Sequence, residues 1–148
     1  MDANSGTTCE GKLLTILRLL LCIAAIGWGI SAYGIFMPWP AVLAQLQSLG
    51  AKNIPSDPML IYWFRMTAAA FTFIGILFLA AAINPRKYTA LIPLLGIFML
   101  IEGAILLAFG LALGCAITFW SDSLFSLLLV AAILTASRAL RHYPPGQD

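Results

Sequence analysis

Residues 88 to 113 make an apolar stretch long enough to cross a bilayer, and it carries one carboxylate, Glu102, near its middle. Between Leu91 and Leu111 there are thirteen Leu, Ile or Phe residues. At about −0.3 to −0.6 kcal/mol each, they outweigh a mid-helix acid at roughly +3 kcal/mol. The segment is therefore expected to insert as a helix and to take Glu102 in with it. An acid at that depth faces a bundle interior, a water pocket or a partner, which makes it a functional-site candidate.

The same stretch explains why other helices should gather around it. Gly96, Gly103 and Gly110 recur every seven residues, and Gly110 with Gly114 makes a G-x-x-x-G pair. Such a stripe lets a second helix approach closely. Glu102 lies a little over a quarter turn away at about 100° per residue, with Leu95, Met99, Leu106 and Leu113. This gives two contact faces, one small and one bulky with an acid in it. The plainer reading of the glycines is general looseness, since glycine is common in membrane helices.

The rest of the chain agrees with a membrane protein. Of 148 residues, 61% are hydrophobic and 9% charged, against roughly a quarter charged in soluble domains. The length fits four spans of about 20 residues in one domain and leaves no room for a soluble one. The net charge of +2 and the lack of a basic run interleaved with aromatics exclude a nucleic-acid partner. Cys9, Cys22 and Cys115 form no C-x-x-C and the only histidine, His142, is near the end, so no zinc site or Cys/His catalytic pair is encoded.

The spacing predicts spans over residues 13–36, 59–83, 88–113 and 121–138. Together they form an antiparallel bundle of four transmembrane helices. The polar segment from Met1 to Gly11 reads as a tail that moves unless something holds it. Gly27, Ser31 and Gly34 form a small-residue stripe on the first span; Ala68, Thr72 and Gly75 form one on the second. Between them, Ala41 to Leu49 reads as a short helix lying in the membrane interface and ended by Gly50, with turn chemistry following to Pro58. Asn84-Pro85-Arg86-Lys87 is a tight basic turn, and Ser121 is placed to cap the fourth span.

Lys12, Arg18, Arg86, Lys87, Arg138 and Arg141 gather at one surface, which puts both termini in the cytoplasm, with a prokaryotic inner membrane as the expected location. The aromatics Trp39, Tyr62, Trp63 and Trp120 then face outside. Arg65 and Glu102 fall roughly 8 Å and 15 Å below the outer boundary, at about 1.5 Å rise per residue. A candidate pocket follows, made of Trp63, Arg65, Glu102, Trp120 and Asp122. Two arrangements fit it: Arg65 bridges to Glu102, or it pairs with Asp122 or a lipid headgroup while a protonated Glu102 bonds a neighbouring carbonyl or hydroxyl. The expected packing positions are Gly27, Gly75, Gly96, Gly103, Gly110 and Gly114.

The pattern Tyr62-Trp63-x-Arg65-Met66, then Gly75, then Pro85-x-x-Tyr88 and a glycine-rich third span resembles the DoxX-like group of small four-helix membrane proteins. That resemblance implies a four-helix bundle associated with membrane redox or quinone systems, and it carries over no catalytic residue. The sequence shows neither a phosphate loop nor a nucleophile with its base, which leans away from an enzyme. The expected role is a non-catalytic accessory or scaffold subunit of a larger membrane complex, possessing no cofactor and packing against larger subunits, a second copy and lipid. The alternative is a binder of a quinone or lipid in the outward pocket. A transporter fits least, since no pair of broken helices is encoded.

Overall fold

The computed structural model describes the backbone of residues 3–114 and 117–141, and the side chains of 10–114 and 123–140. It is all helical over those residues. Helices run in the order α1 (Ala3–Gly29), α2 (Ala32–Phe36), α3 (Trp39–Ser48), α4 (Pro58–Ile83), α5 (Leu91–Ala112) and α6 (Ile117–Arg141). Four segments are long and apolar enough to cross a membrane: Glu10–Phe36, Pro58–Ile83, Leu91–Ala112 and Ser123–Leu140.

Local chemistry sets most of the boundaries. Asp57 caps α4 by accepting a 2.7 Å hydrogen bond from the Met59 N–H, and Pro58 occupies the first turn where no N–H is needed. Gly50, at φ 100°, ends α3, with the Gly50 N–H donating to Gln47 and the Ala51 N–H to Leu46. That is the paired bonding of a glycine-closed helix end. Asn84 Oδ1 accepts from the Lys87 N–H and closes the basic turn. The backbone winds into α5 only through bonds from Leu91 and Ile92 to the Tyr88 carbonyl, so the helix starts at Leu91 rather than Tyr88.

Three features differ from the expectations. The polar amino-terminal segment is helical from Ala3 and continues without a break into the first span, and Glu10 there forms an ion pair with Arg86. Ser121 lies inside α6, which begins at Ile117. The first span is also interrupted. At Ile30 and Ser31 the ladder tightens, because the Ser31 and Tyr33 N–H groups donate to Trp28 and Ile30, three residues back.

Helix α1 packs mainly on α4, and α5 mainly on α6, with α1 and α6 joining the two pairs. Gly75 meets Ala25 and Gly29, while Gly34 meets Phe64 and Ala68. Gly96 meets Leu134 and Gly103 meets Leu127. Along both interfaces, numbers rise on one helix as they fall on the other.

The core is one-sided along the length of the molecule. Leu17, Leu21, Phe78, Ala81, Ile92, Leu95, Met99, Val130 and Ile133 form one buried cluster drawn from all four long helices. Pro85 of the basic turn is also buried, so this is the end that carries Arg86 and Lys87. Towards the opposite end, no residue of α5 beyond Gly103 is buried, through to Gly114.

Candidate functional site

Arg65 is the charge that the fold places most definitely. It lies on α4, one turn before Ala68, and Ala68 packs against Gly34 with an ideal Cβ there only 3.3 Å away. This close approach brings α2 alongside the arginine. Its Nη1 donates to the Ile35 carbonyl and its Nη2 to the Met37 carbonyl at 3.3 Å. Those carbonyls close a five-residue helix, whose last groups have no partners within the helix. A cation at that end also meets the negative pole of the helix. Arg65 therefore clamps the broken half of the first span to α4.

The other members of the expected pocket are distributed differently. Trp63, two residues before Arg65, is 53% exposed and meets Tyr62 edge to face at 6.2 Å, as an aromatic belt residue would. Glu102 is partly buried on α5 with its Oε2 shielded from solvent, and α5 shares few contacts with α4. The described hydrogen bonds of Arg65 all go to backbone carbonyls. The side chains of Trp120 and Asp122 lie outside the described residues.

The glycines divide as sharply. A Cβ at Gly75 would stand 2.6 Å from the Gly29 nitrogen, and one at Gly96 or Gly103 would meet Leu134 or Leu127 at 2.7 or 3.0 Å. These are close-approach positions. Gly114 takes φ +62° just past α5 and, like Gly27, has nothing within 4 Å of a built Cβ. It serves as the turn residue that ends the helix. The surroundings of Gly110 lie outside the described residues.

Around the helix break the packing leaves space that the sequence did not signal. Trp28 and Phe71 stack at a tilt with centroids 5.1 Å apart. Phe64 meets Trp39 edge-on at 6.1 Å, which seats α3 against α4. Two cavities of about 260 and 330 Å³ open here, sharing Ile30, Ser31 and Phe71. The signal that could have located them is the run of Gly27, Gly29, Ser31 and Gly34, which reads equally well as a packing stripe. Among the described residues, no cluster of His, Cys, Asp or Glu is suited to a metal ion.

No family model matches this chain, and neither a curated protein nor a solved structure matches it.

Proposed function

We propose that the chain is an integral membrane protein, an antiparallel bundle of four transmembrane helices. Both termini lie at the cytoplasmic face of a prokaryotic inner membrane, and α3 lies in the opposite interface. Its role is that of a non-catalytic accessory or scaffold subunit, docked onto larger helices of a membrane complex. The one-sided core carries this reading. From Ala104 to Gly114, α5 presents Ile105, Leu106, Phe109, Leu111 and Leu113 with no buried residue among them.

Association in lipid depends on close packing and polar contacts. The likeness to DoxX-like proteins adds the expectation that the complex is a respiratory or other redox assembly. Extraction in mild detergent, followed by native mass spectrometry, tests the role. Larger subunits retained by the parent chain and lost in Leu106→Lys support it. A chain that runs alone, or with no partner except a quinone or lipid, removes the scaffold reading.

A further inference from the structure

Between α1 and α4 a furrow of about 280 Å³ opens on the outer surface of the bundle, lined by Cys22, Ala25 and Gly29 on one side and Thr72, Gly75 and Leu79 on the other. Small residues make it. Gly75 stands against the Gly29 backbone, while Ile26 and Ile76 rise exposed at its edges. We infer that this furrow holds one acyl chain of an anionic phospholipid of the phosphatidylglycerol class, and that Arg18 holds the phosphate of that lipid. The inference rests on the four-helix membrane reading and not on the scaffold role.

A bilayer does not leave such a furrow empty, because an apolar void forfeits the contacts of every atom that lines it. Water is no substitute there. Thr72 carries the one hydroxyl of the lining, and it already donates to the Ala68 carbonyl at 2.7 Å. Hydrocarbon is what fits. Arg18 shares the face of α1 that carries Cys22, Ala25 and Gly29, all within about 40° at 100° per residue. From Arg18 to the far end of the furrow at Gly29 is about 16 Å along the helix, close to half of a hydrocarbon core of roughly 30 Å. The path is as long as the chain of one leaflet, and Arg18 stands where the headgroup of that leaflet lies.

Charge selects the head. Arg18 is exposed, and helical side chains lean toward the amino end of their helix, so its guanidinium reaches the surface that carries Lys12, Arg86 and Lys87. Among the described residues, Glu10 is the only carboxylate near that surface, and it is taken by Arg86. Arg18 is left a cation without an acid. A guanidinium takes a phosphate in a bidentate fork, and an anionic lipid brings the net charge that a zwitterionic head cancels within itself. A second copy of the chain fits less well. Paired two-fold about the membrane normal, the same patch of each copy would meet, and the two Arg18 side chains would face each other at one level as like charges.

The full chain would be reconstituted in phosphatidylcholine vesicles holding a trace of phosphatidylglycerol or of phosphatidylcholine with a mid-chain diazirine, and photolabelled. The phosphatidylglycerol probe should label the peptides containing Cys22 to Gly29 and Thr72 to Leu79 about fivefold more than the phosphatidylcholine probe, the effect of one cation near the membrane surface. Arg18→Gln should bring the two probes level. Gly29→Leu, at a position where a Cβ meets nothing within 4 Å, should fill the furrow and abolish focused labelling by both. Arg18 is exposed, so its variant carries the test if Gly29→Leu fails to fold. Equal labelling by the two probes in the parent, or a preference that survives Arg18→Gln, overturns the assignment of the headgroup to Arg18. Labelling spread evenly over exposed α5 and α6 overturns the furrow, and a parent dimer that Gly29→Leu splits gives it to a second copy instead. Flotation with the vesicles separates the two readings: a chain that does not float removes the membrane reading and the lipid site together, whereas one that floats and labels evenly removes only the site.

Discussion

The guanidinium of Arg65 is bonded to the carbonyl of Ile35, thirty residues earlier in the chain, and reaches on to Met37. A five-residue helix such as α2 cannot hold itself together, because helix nucleation is unfavourable at that length. The arginine is what ties it to a long helix. It also fixes α3, which follows Met37 and Pro38 directly and rests Trp39 on Phe64.

Replacing Arg65 with Met should therefore loosen residues 32–48 without melting the core at the basic end. Hydrogen bonds to a charged group contribute about 1.5–3 kcal/mol, and a loss of that order is expected locally. Hydrogen exchange would show it as faster exchange in α2 and α3 with α5 unchanged. Arg65→Lys should recover only part, since an ammonium lacks the planar fork that spans two carbonyls. Uniform exchange in Arg65→Met would mean that the two bonds do not hold the segment.

The same bonds bear on Glu102. An arginine already satisfied by carbonyls has little reason to couple to an acid on α5, a helix that barely touches α4. In a double-mutant cycle, Arg65→Met and Glu102→Gln should be additive in thermal stability to within about 0.5 kcal/mol. Coupling of roughly 2 kcal/mol or more would instead place the pair in one buried network.

Among the glycines, Gly75 should be the least replaceable. An added methyl at Gly75 meets the backbone of Gly29 at 2.6 Å, whereas at Gly96 it meets the tip of the Leu134 side chain. Backbone cannot rotate away and a leucine can. Gly75→Ala should cost about 1–3 kcal/mol, as overpacking does, and Gly96→Ala clearly less. Melting curves in one detergent would compare them; equal costs would show that α1 and α4 can separate as easily as Leu134 can turn.

Much of this was legible in the residues, for a physical reason. Span positions follow from composition alone, and the seven-residue repeat of Gly96 and Gly103 matches the descending repeat of Leu134 and Leu127 on α6. The break at Ile30 was not legible because no proline marks it, and Gly27, Gly29 and Gly34 suit a straight packed helix as well as a broken one. The partners of Arg65 were hidden for a different reason. They are backbone carbonyls, which every residue carries, so no side-chain pattern points to them. Glu10 reads from sequence as part of a loose tail, yet its contact with Arg86 lies across seventy-six positions.

That contact also sharpens a test of orientation. The Glu10–Arg86 ion pair places the amino end of the first span beside the turn between α4 and α5. It is exposed on the arginine side and, as a surface pair, contributes at most about 1 kcal/mol, but its geometry puts Lys12, Arg86 and Lys87 at one end. Asn53, with φ 53° in the exposed loop between α3 and α4, belongs to the other. In a chain with Cys9, Cys22 and Cys115 replaced, Asn53→Cys should react with an impermeant maleimide on intact cells. Lys87→Cys should react only after permeabilisation. The reverse pattern would turn the molecule over and contradict the basic-surface argument. Labelling of both positions on intact cells would mean that the chain does not cross the bilayer between them.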